Sequence, residues 1–219
     1  MKTWGIVPAK GFERAKTRLS GVLAPGSRAS LARALLEGVL EALARTPRIS
    51  AIAVVTDSDR VARCAVEHGA LALRDPPGAA LAATIDSALA VAARRGADAA
   101  LVCMADLGHP SPAELDRVAA ALTAADAVAV PDLSGRGTSV LGLRPPPAIA
   151  TCFGHDDSLS RHRAACARGG LRFVALRSDE LAFDVDTPAD LARLASTSAS
   201  HLAPTTSHEG ACGRALMRT

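Results

Sequence analysis

Short apolar runs alternating with stretches of helical period leave this sequence few folds to choose from. Trp4 to Val7, Ile49 to Thr56, Ala70 to Arg74 and Ala99 to Ala105 are each too short for a helix, and their apolar residues run on rather than alternate. A strand reads that way when helices cover both of its faces. Between the runs lie helical stripes. Leucines at 31, 35, 36, 40 and 43, with Val39, mark a helix over Arg28 to Arg45, and Pro25-Gly26-Ser27 stands before it as a start signal. Asp57-Ser58-Asp59 reads as the cap of a second helix ending near His68-Gly69. A third helix spans about Ala80 to Arg95, and a fourth Pro112 to Ala124. The order implies a three-layer α/β fold.

The second half departs from this rhythm. Ala127 to Val130 and Ser139 to Leu143 are strands whose eight-residue connection, Pro131 to Thr138, is too short for a helical crossover. They are expected as antiparallel neighbours or a β-arm, which makes the sheet mixed. A helix over Ser158 to Arg168 follows, then a strand over Leu171 to Leu176 and the extended piece Phe183-Asp184-Val185-Asp186. A last helix, capped by Thr187-Pro188, is expected to reach about Ala195. Periodicity is lost from Ser196, so residues 1–195 read as one domain and 196–219 as a disordered tail. A length of 219 residues suits a single domain. With 49% hydrophobic residues but no Tyr, one Trp and four Phe, its core must be built of Ala, Val and Leu. A net charge of +3, with no basic stripe carrying aromatics, argues against nucleic acid. Five scattered cysteines fit reduced thiols, and no window reaches membrane-spanning length, so a soluble cytoplasmic protein is expected.

Chemistry concentrates in two places. Ile6 to Leu19 leaves the first strand through Pro8 and carries Lys10, Arg14, Lys16 and Arg18 into the region where an open α/β sheet places its ligand. Of 25 basic residues only Lys2, Lys10 and Lys16 are lysines, all in this corner. A solvated basic loop is the alternative. The second place is a set of carboxylates at strand ends. Asp106 directly follows the most apolar run, and Asp184 and Asp186 are two apart on an extended piece, which turns both to one side. Carboxylates converging on one spot call for a divalent cation, and Mg²⁺ combines few carboxylates with phosphate oxygens and water. Taken singly, Asp106 and Asp186 also read as helix caps.

Gly135-Arg136-Gly137-Thr138 could offer backbone N–H groups to phosphate, or be a plain hairpin turn. Phe153-Gly154 leads into a helix whose N-terminus attracts anions, with Ser158 and His162 on one face; a helical histidine is more often structural. The Asp184-Val185-Asp186-Thr187 string resembles the nucleophile motif of haloacid-dehalogenase phosphatases. That motif belongs on a first strand, and here barely one helix follows it. There is no nucleophile elbow, P-loop or Gly-x-Gly-x-x-Gly. A cationic loop, metal-type carboxylates and anion-holding turns suit phosphoryl or nucleotidyl transfer, in which a phosphate acceptor needs no general base.

Val7-Pro8-x-Lys10, Ala15-Lys16-Thr17-Arg18-Leu19, Ala105-Asp106-Leu107, Gly135-x-Gly137-Thr138, Phe153-Gly154 with Ser158 and His162, and Asp184-Val185-Asp186-Thr187-Pro188 follow one another over Thr3 to Ala195. In that order they resemble the phospholactate/phosphoenolpyruvate guanylyltransferases of coenzyme F-420 biosynthesis. The resemblance implies a Rossmann-like nucleotidyltransferase fold (glycosyltransferase-A-like, three-layer α/β/α, with a mixed, mostly parallel sheet). It implies joining GMP from GTP to a small phosphorylated carboxylic acid (2-phospholactate, phosphoenolpyruvate or 3-phosphoglycerate) with release of pyrophosphate, by a monomer or homodimer. Asp106, Asp184 and Asp186 would then hold Mg²⁺; Thr138, Gly154 and Ser158 would contact the acid; Lys10, Lys16 and Arg18 would hold the GTP phosphates. Lys16 and Asp106 would be the catalytic pair. The sequence departs from the family pattern at Gly108, where proline is usual, at Ser139-Val140, and at Thr84-Ile85-Asp86, which stands for Gly-Leu-Asn and makes Asp86 a nucleotide contact. The Phe-Gly to Ser spacing is one residue longer. A molybdenum-cofactor-type or sugar nucleotidyltransferase, which would carry a Gly-Gly-x-Gly loop absent here, and a non-catalytic binding paralogue are the alternatives.

Overall fold

The first apolar run forms β1 (Thr3–Pro8), buried at all six positions. It pairs on both sides, parallel to β2 (Ile49–Thr56) with Ile6 opposite Ala53, and parallel to β4 (Ala99–Cys103) with Ile6 opposite Val102. A strand enclosed in this way has no solvent face, which accounts for its unbroken apolar sequence. The structure is a computed structural model and describes residues 1–75 and 78–202. Beyond β2 lies β3 (Leu71–Arg74), also parallel. On the other side β6 (Thr138–Leu143) pairs antiparallel with β4 and with β5 (Ala127–Pro131), and β7 (Phe173–Ala175) closes the edge parallel to β5. The order is β3-β2-β1-β4-β6-β5-β7. The two late strands are therefore antiparallel neighbours, and β6 lies inside the sheet, not on an arm.

Helices cover both faces. α1 (Pro25–Ala44), α2 (Asp59–Glu67) and α4 (Pro112–Ala121) pack Leu36, Leu40, Val61 and Leu115 onto the face that carries Val7, Val54 and Leu101. α3 (Leu81–Arg94) and α5 (Ser158–Arg168) pack Ile85, Leu89 and Cys166 onto the face that carries Ile6, Val55 and Val102. Successive strand residues thus feed opposite cores, as the pleat requires. Ser58 caps α2 by accepting from Val61 N, and Gly69 ends it at φ +74°. α1 starts three residues before the expected Arg28, because Pro25 occupies its first turn instead of preceding it.

α6 (Pro188–Leu202) begins with a reciprocal cap: Thr187 N donates to Asp190 Oδ2 at 2.7 Å and Asp190 N to Thr187 Oγ1 at 3.3 Å. It runs seven residues past the expected Ala195, so 196–202 is helix where a tail was expected; the rest of that tail, 203–219, lies outside the described residues. No helix among the described residues is long and apolar enough to cross a membrane.

Because β6 runs antiparallel to β4, its first residue, not its last, comes to the edge where β1, β2, β3 and β4 end.

Candidate active site

After Pro8 the chain makes two short 3-10 turns, Phe12–Arg14 and Thr17–Leu19, pinned by the buried Phe12 and Leu19. Between them stands Lys16 at φ 55°, the one non-glycine among the described residues with positive φ. That conformation costs an L-residue about 1–2 kcal/mol, and here it turns the side chain inward. The Lys16 Nζ lies 2.9 Å from Asp106 Oδ2 and 2.9 Å from Asp186 Oδ1, with 5% of the side chain exposed. Burial alone would lower the Lys16 pKa, but the charges and hydrogen bonds of Asp106 and Asp186 outweigh it and hold the ammonium above its ordinary value. Arg18 approaches the other oxygen of Asp186 at 3.5 Å. Lys16 and Arg18 of the basic loop form one ion cluster with Asp106 and Asp186, up to 170 residues away in sequence, whereas Arg14 pairs with Asp57 instead.

The carboxylates are aligned by backbone pairing. Leu107 and Asp184 form an antiparallel bridge, Gly108 N donates to Phe183 O at 2.8 Å, and Val185 N donates to Asp106 O at 3.1 Å. This ties the Asp184–Asp186 segment to the end of β4. It also explains the glycine at 108. A Cβ there would come 2.5 Å from Cε1 of Phe183, and proline would in addition remove the N–H that holds the segment. Asp184 is pushed up to about 6, first by burial and then by the neighbouring charge of Asp106. By donor type three carboxylates suit a divalent cation, and two of them are engaged here by the Lys16 ammonium. The three aspartates do not each bring an oxygen within 4.8 Å of the others. The group of described residues that meets this spacing is Glu37, Cys64 and His68, where the glutamate already accepts from Arg33 at 2.8 Å and the imidazole Nδ1 lies 2.9 Å from Cys64 O.

Thr138, Ser158 and His162 are gathered beside this cluster. Met104 N donates to Ser139 O at 3.1 Å, continuing the β4–β6 register, so Thr138 comes across from Ala105, next to Asp106. The Cys152 N–H donates to His162 Nε2 at 2.8 Å, which leaves the ring proton on Nδ1 to donate to Thr138 Oγ1 at 3.1 Å. Ser158 Oγ donates to the same oxygen at 3.2 Å. Burial holds His162 down to about 4, so the imidazole is neutral, and Phe153 packs edge-on against it at 5.0 Å. The histidine is thus a positioned neutral donor, not a titrating acid or base at pH 7. Gly154 precedes α5 at φ +91°, where a Cβ would be strained. The Gly135–Thr138 turn is accounted for internally: Gly135 N donates to Asp132 O at 2.9 Å and Arg136 N to Asp132 Oδ1 at 3.2 Å.

A cleft of about 250 Å³ opens at the carboxyl ends of β1, β2, β3 and β4, lined by Lys10, Lys16, Asp106 and Asp186 among others. Thr138, Gly154 and Ser158 do not line it. Neither does Asp86, expected as a nucleotide contact: its Oδ1 accepts from Thr151 N at 3.0 Å, beside a separate small hollow with Leu89 and Pro147. The reason is helical geometry. Thr84 does line the cleft, and two residues along a helix turn the side chain by about 200°. The cleft also holds Asp75, whose carboxylate accepts from the Thr84 hydroxyl at 2.5 Å. Asp75 belongs to no motif in the sequence, although its place directly after the Ala70 to Arg74 run is a usable signal.

The sequence model of one family, described as guanylyl transferase CofC like, matches residues 3–200. A phosphoenolpyruvate guanylyltransferase of Sphaerobacter thermophilus is 40% identical over 195 residues, covering 89% of this chain and 93% of that protein. Among solved structures, a nucleotidyl transferase from Methanothermobacter thermautotroptrophicus superposes with a TM-score of 0.67 at 16% identity, over 91% of this chain and 99% of that one. A Mycobacterium tuberculosis protein in complex with manganese superposes at 0.55 and 18% identity, over 89% and 98%. These structural likenesses confirm an α/β nucleotidyltransferase fold.

Proposed function

Since the chain belongs to the CofC-like guanylyl transferase family, we propose that this nucleotidyltransferase joins GMP from GTP to phosphoenolpyruvate, in coenzyme F-420 biosynthesis. 2-Phospholactate and 3-phosphoglycerate are the competing acids. In this reaction a phosphate oxygen of the acid attacks the α-phosphorus of GTP, the bond to the β-phosphate oxygen breaks, and pyrophosphate leaves. The attacking oxygen is already anionic, so no side chain has to remove a proton. His162 is neutral and donates its Nδ1 proton to Thr138.

The observation that carries this reading is the Lys16 ammonium at 2.9 Å from both Asp106 and Asp186, in a cleft at the carboxyl edge of the sheet. Phosphoryl and nucleotidyl transfer is mainly charge neutralisation and alignment, and this cluster brings both signs of charge to one place. Lys10, Lys16 and Arg18 hold the triphosphate. Asp106, Asp184 and Asp186 would hold Mg²⁺, which supplies neutralisation of the phosphate oxygens when bound. Thr138, Gly154 and Ser158 hold the acid; with both lone pairs of its hydroxyl engaged by His162 and Ser158, Thr138 has its own hydrogen to donate to an anion.

The test is a matrix of four nucleoside triphosphates against the three acids, scored by pyrophosphate. GTP with phosphoenolpyruvate should give the fastest release. No release from any pair, or release from a pyrimidine nucleotide in preference, would sink the reading.

A further inference from the structure

One carboxylate in the cleft has no part in the ion cluster. Asp106 and Asp186 are both paired with Lys16, whereas among the described residues no cation pairs with Asp75. Yet Asp75 is held firmly. Its N–H donates to Thr56 O at 2.9 Å, one residue past the end of β3, and its Oδ1 accepts the hydroxyl of Thr84 at 2.5 Å. Thr84 is 3% exposed on α3. The carboxylate is thus clamped between a strand end and a helix, with Val55, Ala79 and Leu81 as apolar neighbours lining the same cleft. β3 lies two strands from β1, about 10 Å across the sheet, a separation on the scale of a nucleoside between its base and its phosphates.

We propose that Asp75 selects guanine, by accepting hydrogen bonds from the Watson–Crick edge of the base. This rests on the reading that the cleft holds a nucleoside triphosphate with its phosphates at Lys10 and Lys16. An ionised carboxylate can only accept, and one hydroxyl from Thr84 leaves most of its acceptor capacity unused. Guanine alone among the common bases presents two adjacent donors, N1–H and the N2 amino group. Adenine and cytosine set an amino group beside an acceptor nitrogen, and uracil flanks its single N–H with two carbonyls; each would turn a lone pair toward the carboxylate. The apolar walls suit a flat ring, and Thr84 fixes the rotamer so that the acceptors are in place before the base arrives.

Xanthine makes the assignment testable, because it keeps N1–H and replaces the amino group with a carbonyl. Asp75→Asn turns an acceptor pair into one acceptor and one donor, the complement of xanthine. Calorimetric titration of the full chain with GTP, ITP and XTP reads base selection; pyrophosphate release with phosphoenolpyruvate reads the reaction separately. The wild-type protein should favour GTP over ITP, which lacks the amino group, and GTP over XTP, each by about tenfold to a hundredfold. In Asp75→Asn the GTP-to-XTP ratio should invert. A gain of XTP binding cannot arise from a damaged fold. Equal binding of GTP and ITP by the wild type overturns the proposal without reference to any variant, as does an Asp75→Asn protein with the wild-type ratio. Loss of GTP preference in the variant without pyrophosphate release in either protein would uphold Asp75 and sink the proposed reaction; pyrophosphate release with an unchanged ratio would do the reverse.

Discussion

At the scale of single residues, Lys16 and His162 show how burial and partners assign roles that residue type leaves open. Lys16 keeps its charge although 5% of its side chain is exposed, because two carboxylates accept from it. Lys16→Ala should reduce kcat/KM by about 100-fold or more, roughly 2.7 kcal/mol of transition-state stabilisation. A loss under about threefold in steady-state kinetics would return the loop to a solvated basic turn. His162 is held at about 4 by burial, against 6.5 when free. The unfolded chain therefore takes up a proton that the folded one refuses as pH falls below 6.5. Stability contributed by the neutral imidazole is complete above pH 6.5 and declines down to about pH 4, by on the order of 3 kcal/mol. Urea denaturation of wild type and His162→Gln across that window should show the wild type losing stability more steeply on acidification. Parallel profiles would refute it. The comparison is needed because Asp184, with its pKa raised to about 6, shifts stability in the opposite sense.

At the scale of elements, the decisive piece is the pairing of Asp106–Gly108 with Phe183–Val185, which no periodicity announces. Phe183 and Val185 pack with Leu35 of α1, so the segment is anchored on its apolar side while Asp186, at its end, lines the cleft. Gly108 allows this approach, with the Phe183 ring where a Cβ would otherwise stand. Gly108→Ala should cost about 1–3 kcal/mol through overpacking, read as a lower urea midpoint. Gly108→Pro also removes the 2.8 Å hydrogen bond and should lose most activity. A Gly108→Pro protein with wild-type stability and turnover would show that the segment is held by other means. The requirement comes from the packing of Phe183 in this chain.

At the scale of the whole molecule, β4 joins the parallel half of the sheet to the β6-β5-β7 half. Both apolar clusters draw on β4 and on strands from each half, Leu101 in one and Val102 in the other. The described residues should then unfold as a single unit. Leu101→Ala, at a fully buried position, should cost about 2–5 kcal/mol and move one calorimetric transition as a whole. A transition that splits in two would overturn the single-domain reading. The order of strands and helices was legible in the sequence, since apolar runs and helical stripes are local signals; Ile49–Thr56 and Ser158–Arg168 were legible to the residue, while 196–202 was read as tail and is helix. Two groups were also legible, Lys16 in a basic loop and Asp106, Asp184 and Asp186 as a set of carboxylates, because ionisable residues after an apolar run stand out from their background. Three features came from the packed fold alone: Lys16 bridges Asp106 and Asp186, Asp86 turns to Thr151 while Asp75 meets Thr84, and β6 brings Thr138 beside Asp106. The physical reason is common to all three. Strand order, register and the rotation of a helix are set by burial between elements far apart in the chain, and local composition carries no record of that burial.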